Sequence, residues 1–143
     1  MKRLIPLLAL LAVSACSSNN NTTAPTLPPT TTAPYSQTDL IIGIGATAGV
    51  GNTVTVAYTG WLHDSSKPEA KGAQFQTGTI SPRIGVGQVI RGWDQGIPGM
   101  RVGGQRRLVI PPDLAYGNST PDPTTIPPNA TLIFDVTLNA VVQ

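Results

Sequence analysis

The stretch from Gln88 to Gly117, QVIRGWDQGIPGMRVGGQRRLVIPPDLAYG, decides the fold of this 143-residue chain. It joins a Val-Ile pair, a Gly-Trp pair, a basic segment and a Tyr-Gly pair in one order. Residues Gln105 to Ile110 precede the Pro111-Pro112 stop and predict a strand. Residues Val89 to Ile97 predict a helix, which Pro98-Gly99 ends.

Two longer strands are predicted on either side of this stretch, from Thr53 to Leu62 and from Thr131 to Val142. Apolar and polar residues alternate along each, so each would bury one face. The residues expected on the buried faces are Val54, Val56, Tyr58 and Leu62 in the first, and Leu132, Phe134, Val136 and Leu138 in the second. Several strands with one short helix predict an α+β domain, in which an antiparallel sheet curls over the helix.

The first residues resemble a bacterial lipoprotein signal. Lys2 and Arg3 precede a short apolar run, and small residues lead to Cys16. The run is too short to cross the membrane as a helix, which needs about 20 apolar residues. Residues 1–15 are therefore predicted to be a signal peptide and Cys16 the lipidated residue. An ordinary secreted protein cleaved near Ala15 is the alternative.

Residues 16–34 follow as a predicted Pro/Thr-rich disordered tether, because the segment after Cys16 holds no charge and little apolar surface. A single folded domain is predicted over residues 35–143. Ser17 and Ser18 resemble the residues that follow the lipidated cysteine in outer-membrane lipoproteins. The predicted location is therefore the outer membrane, with the domain facing the periplasm.

Charge gives no argument for a nucleic-acid partner. Without Lys2 and Arg3 the chain has seven basic and seven acidic residues. Its five remaining arginines fall in one stretch that contains a single acid, Asp94. Two interpretations stay open for them: a solvated face of the sheet, or a patch that steers acidic clients.

The sequence contains no motif for several common kinds of catalysis or ligand binding. It contains no nucleophile elbow or phosphate-binding loop, and the spacing at Gly43, Gly45 and Gly49 predicts a turn. His63 stands alone in a polar stretch that reaches Gly72 and reads as a surface loop, so no metal site is predicted.

Blocks of sequence along most of the chain carry a family resemblance. The stretch from Gln88 to Gly117, together with VAYTGWL at Val56 to Leu62, Phe75, and IPPNATLIFDVTL from Ile126 to Leu138, resembles the FKBP-type peptidyl-prolyl cis-trans isomerases. The resemblance implies a curved antiparallel β-sheet wrapped around one short helix. It also implies isomerase (rotamase) activity on proline-containing polypeptides, no cofactor, and inhibition by tacrolimus or rapamycin.

The same resemblance implies an aromatic site. Trp93 would form its floor, Ile90 N–H and the Tyr116 hydroxyl would bond substrate carbonyls, and Ile126 would lean over the site. The catalytic residues implied are Tyr58, Phe75, Trp93, Tyr116 and Phe134, and the substrate-binding residues are Gln76, Val89, Ile90 and Ile126. Plain core packing is the competing interpretation for each aromatic residue.

Three departures from the family pattern bear on activity. Gln76 stands where the family usually has an aspartate, and an amide carries no charge. The next segment is short and places Ile80 and Pro82 where aromatic residues often stand. The loop from Gly117 to Ile126 is rich in Pro and Thr.

Three functions therefore stay open. The first is a prolyl isomerase that assists the folding of periplasmic or outer-membrane proteins, with activity weakened by Gln76. The second is a catalytically weak or inactive chaperone or scaffold that binds prolyl peptides. The third is a purely structural lipoprotein.

Overall fold

The computed structural model describes residues 30–143, so the predicted signal peptide, Cys16 and most of the predicted tether lie outside it. Within this range five strands and one α-helix are formed, and no helix is long and apolar enough to cross a membrane. Two short 3₁₀ turns lie at Pro68–Ala70 and Pro112–Leu114. The elements are β1 Ser36–Ile41, β2 Thr53–His63, β3 Lys71–Ile80, α1 Arg91–Gly96, β4 Gln105–Ile110 and β5 Leu132–Val142.

The strands form one antiparallel sheet in the order β1-β4-β5-β2-β3. The three predicted strands are confirmed as β2, β4 and β5. β4 has the predicted bounds, β2 extends to His63, and β5 begins at Leu132. The helix is shorter than predicted, because Ile90 is extended and acts as its N-cap.

The two edge strands were not predicted. All six residues of β1 are exposed, so its sequence shows no buried face. β3 is mostly exposed, and its pairing with β2 shifts at Gly60/Trp61 and at Trp61/His63. Such irregularities are common at sheet edges and disturb the alternation from which a strand is predicted.

Two glycines let α1 lie close against β4. A Cβ atom at Gly92 would stand 2.5 Å from the side chain of Ile110, and one at Gly96 would stand 2.5 Å from Leu108. Glycine lowers helix stability by about 1 kcal/mol relative to alanine. Here it permits contact between helix and sheet that a larger residue would block, and this contact holds Trp93 against the inner face.

Arg106 joins three elements and corrects the interpretation of the arginines. It is only 7% exposed, and its Nε lies 2.6 Å from an Asp39 oxygen of β1. Its guanidinium also donates to the Gly96 carbonyl at the end of α1, at 2.6 Å. Arg83 and Arg101 donate to main-chain carbonyls. The arginines are therefore largely structural and do not form a common patch.

His63 is buried, not part of a surface loop. It ends β2 at 8% exposure, and its Nδ1 lies 2.6 Å from the Thr31 hydroxyl. Thr31 also donates its N–H to the His63 carbonyl at 2.8 Å, and its hydroxyl accepts from the Ser65 N–H at 2.9 Å. The chain is thus already bound to the domain four residues before the predicted boundary at Tyr35.

An ion-pair network covers part of the outer face of the sheet. Asp135 accepts hydrogen bonds from Arg107 at 2.8 and 3.0 Å and from Lys71 at 2.9 Å. Burial alone would raise the pKa of Asp135, but the bonds from Arg107 and Lys71 outweigh it and hold the pKa below its usual value. Stability from this network is therefore present above about pH 4, the ordinary Asp value, and is lost as the pH falls through the lower folded value.

Asp135→Asn is expected to destabilise the domain at pH 7 by about 1–3 kcal/mol, because two cations lose a charged acceptor. It should also flatten the loss of stability below about pH 4. Urea unfolding at pH 3 to 7 measures both effects. Asp113→Asn, at an exposed acid, is the control. Equal pH dependence in the Asp135 variant and the native protein would contradict the expectation.

Candidate active site

A cleft of about 340 Å³ opens between α1, the inner face of the sheet and the segment that precedes α1. This volume lies within the range of small-ligand sites, about 300–1,000 Å³. The residues that line it are Tyr58, Gln76, Ile80, Gln88, Val89, Ile90, Trp93, Tyr116 and Phe134. We call this cavity the cleft.

Aromatic rings that meet edge to face form the base of the cleft. Trp93 is 3% exposed, and its ring centroid lies 5.1 Å from that of Tyr58 and 5.3 Å from that of Phe134. Phe75 meets Phe134 on another side, at 5.6 Å and 88°. T-shaped pairs at these separations are favourable. The rings therefore pack against one another as part of the core and also form the base of the cleft.

Gly60 makes this arrangement possible, and sequence reasoning missed it. A Cβ atom there would lie 2.6 Å from Phe75 Cζ and 2.8 Å from Phe134 Cε1. Both distances are shorter than real contacts, so a side chain at residue 60 must displace a ring. The signal was present in the sequence, since a glycine inside a strand pattern often marks a close approach.

Polar groups of the cleft are left without partners inside the described part of the chain. The hydroxyls of Tyr58 and Tyr116 and the amide of Gln76 make no hydrogen bond there. Burial raises the pKa of both tyrosines, and for Tyr116 the proximity of Tyr58 adds to the effect. Both hydroxyls therefore stay protonated at neutral pH and can donate to a substrate carbonyl.

The main chain supplies a further donor at Ile90. Its carbonyl accepts from Trp93 N–H at 3.0 Å and from Asp94 N–H at 3.2 Å, as the N-cap of α1. Its own N–H has no partner among residues 30–143, because helix starts leave such groups unpaired. This N–H is the donor that the resemblance implies.

Asp94 fixes the segment that precedes α1. Its two carboxylate oxygens accept from Gly85 N–H at 2.8 Å and from Gly87 N–H at 3.0 Å. Both glycines have positive φ, near 85° and 83°, which side chains disfavour. Gln88 closes the turn by accepting from Arg83 N–H at 2.9 Å. The segment therefore holds Val89 and Ile90 at the cleft.

Seven of the nine predicted site residues line the cleft, and two do not. Phe75 lies beside it and touches it through Phe134. Ile126 is 5% exposed and belongs to the hydrophobic core, and its N–H donates to Asp122 O. Ile80 and Gln88 line the cleft in addition. The roles of all these residues in catalysis or binding stay predictions.

Comparison with known proteins defines the class. A sequence model described as "FKBP-type peptidyl-prolyl cis-trans isomerase" matches residues 45–139. The solved structure of a peptidyl-prolyl cis-trans isomerase from Pseudomonas syringae pv. tomato is 33% identical, with a TM-score of 0.62 and coverage of 76% of each chain. The predicted fold, a curved antiparallel sheet with one short helix, is thereby confirmed.

Curated relatives agree. A protein named FK506-binding protein from Neisseria meningitidis serogroup B is 46% identical over 105 residues, which cover 73% of this chain and 94% of the relative. FK506-binding protein 4 from Dictyostelium discoideum is 48% identical over 108 residues, but the match spans only 28% of that protein. The chain belongs to the FKBP-type peptidyl-prolyl cis-trans isomerase family.

Proposed function

We propose that this chain accelerates the isomerisation of X-Pro bonds during the folding of periplasmic or outer-membrane proteins, from a lipid anchor at Cys16. Membership of the isomerase family supports the reaction, and the signal pattern before Cys16 supports the location. The observation that carries the reaction is the cleft, in which an aromatic floor lies beside donors that have no partner among residues 30–143.

The reaction needs no group that forms a bond to the substrate. The barrier to rotation about a peptide bond is about 18–20 kcal/mol and comes from partial double-bond character. Without a catalyst, a prolyl bond therefore isomerises in tens to hundreds of seconds. An enzyme lowers this barrier by binding the twisted, single-bond-like imide more tightly than the planar one.

The groups that line the cleft would bind the twisted imide in this way. The rings of Trp93, Tyr58 and Phe134 would hold the proline ring in surroundings without water, which disfavours the charge separation of the planar imide. Ile90 N–H and the Tyr116 hydroxyl would hold the carbonyls on either side. Positioning of this kind contributes without any proton transfer.

Exchange NMR tests the reaction. The purified full chain, in a mild detergent, is added to Ala-Leu-Pro-Phe, and the cis/trans exchange rate of the peptide is measured. Acceleration that saturating tacrolimus abolishes is the expected result. Exchange at the uncatalysed rate would contradict isomerase activity on this peptide.

The location needs a separate test. Cells that express the full chain are labelled with radioactive palmitate and their membranes are separated. Label in the outer-membrane fraction, absent from Cys16→Ala, is expected. Release of unlabelled native chain into the periplasm would show an ordinary secreted protein.

Gln76 favours a second candidate, a prolyl-binding chaperone with little activity. Its amide borders the cleft where the family usually has a carboxylate. The difference is the absence of a charge that would help to orient the twisted imide.

Gln76→Asp is expected to increase kcat/KM for Ala-Leu-Pro-Phe several-fold, because a charged acceptor contributes about 1 kcal/mol more than a neutral one. Exchange NMR measures the change, and Gln76→Asn, which is shortened but neutral, is the matched control. An unchanged or lower rate in the aspartate variant would show that the missing charge does not limit turnover.

A further inference from the structure

The cleft carries no formal charge. None of its nine lining residues, as the structure describes them, is acidic or basic. Its polar groups are hydroxyls and amides, and the free ones at Tyr58, Tyr116 and Gln76 all include a hydrogen-bond donor. The Gln76 amide therefore presents N–H groups to a ligand at a place where a carboxylate could only accept.

The charged side chains of the segment 83–94 are either bound to main-chain groups or positive. Both oxygens of Asp94 accept main-chain N–H groups of the segment before α1. Arg83 donates to the Gly51 carbonyl. Arg91 directly follows Ile90, is exposed, and has no ion-pair partner within the described part of the chain. The segment 83–94 therefore offers no free carboxylate to a ligand.

We propose that the cleft accepts polypeptides with Asp or Glu directly before the proline as readily as those with a neutral residue there. The inference rests on the proposed function. A substrate held in the cleft brings the residue before its proline among these lining groups, which include the Gln76 amide. A carboxylate there meets hydrogen-bond donors, and no anion lines the cleft to repel it.

Two peptides of equal shape test the proposal, Ala-Glu-Pro-Phe and Ala-Gln-Pro-Phe. For each, the uncatalysed exchange rate is subtracted from the rate with the full chain, and the Gln/Glu ratio of kcat/KM is taken. This ratio cancels any general loss or gain of activity. We expect a ratio near one for the native chain.

Gln76→Asp supplies the comparison. It should raise the ratio about tenfold, since two like charges within one cleft repel each other appreciably at an intermediate dielectric constant. Added salt at about 0.5 M should reduce this effect by screening. Asn139→Asp, which adds the same charge at an exposed residue of β5 that does not line the cleft, should leave the ratio unchanged.

Three outcomes separate this proposal from the proposed function. A native ratio above about ten, or a ratio that Gln76→Asp does not change, would overturn the proposal. Should neither peptide be isomerised, the activity fails, and the same ratio is then read from dissociation constants in a chemical-shift titration. Failure of both peptides to bind would overturn this proposal and the proposed function together.

Discussion

Trp93→Ala should slow the cis/trans exchange of Ala-Leu-Pro-Phe to nearly the uncatalysed rate, at which one isomerisation takes tens to hundreds of seconds. The indole forms the base of the cleft and meets the rings of both Tyr58 and Phe134. Its loss removes the surface on which the proline ring would rest and lets water enter. Exchange NMR with the full chain measures the effect.

The substitution also costs stability, about 3–5 kcal/mol for a large aromatic residue in a core. Trp93→Phe is a second, milder variant, because Trp93 Nε1 has no acceptor among the described residues and no hydrogen bond is lost. Trp61→Phe is the matched control, since Trp61 packs under Lys71 on the outer face, outside the cleft. Native activity in a folded Trp93→Ala chain would remove the cleft from the mechanism.

Gly60→Val should reduce kcat/KM about tenfold or more while the chain stays folded. The new side chain must displace Phe75 or Phe134, whose nearest atoms lie 2.6 and 2.8 Å from an ideal Cβ. Overpacking of this kind costs about 1–3 kcal/mol of stability, which most domains tolerate. A rotated Phe134 would narrow the cleft from its side.

Gly49→Val is the matched control for this variant. Gly49 does not line the cleft, and a Cβ there would meet only Asn52 Nδ2, at the ordinary contact distance of 3.6 Å. It should keep native activity. Aromatic ring resonances of the two variants show whether Phe75 and Phe134 have moved. Equal activity in both variants would mean that the ring arrangement is not needed.

Sequence patterns predicted the inner part of the sheet well, for a physical reason. β2, β4 and β5 each bury one face, and burial imposes the alternation from which a strand is recognised. β1 has no buried residue, so nothing in its sequence was constrained in this way. Edge strands are held by main-chain bonds to a neighbour, which leave little trace in side-chain pattern.

The family pattern placed residues in the cleft correctly where they stand at the start of the helix. It was less accurate for a residue whose position depends on the path of a loop. The cleft contains Trp93, Val89 and Ile90, which stand on a fixed helix start. Ile126 lies in the core because its loop turns inward after Asp122. Gly60 contributes because it has no side chain, which leaves room for Phe75 and Phe134. This role can be recognised only when the positions of the two rings are known.

The Ile90 N–H, which has no partner among the described residues, has a consequence for how this protein can change over generations. It belongs to the main chain, so no replacement of the Ile90 side chain deletes it, except proline, which has no N–H. Side chains such as Gln76 and Ile80 carry no such protection. Under the proposed function, mutation can therefore change which clients are preferred while the main-chain contact to the peptide is retained.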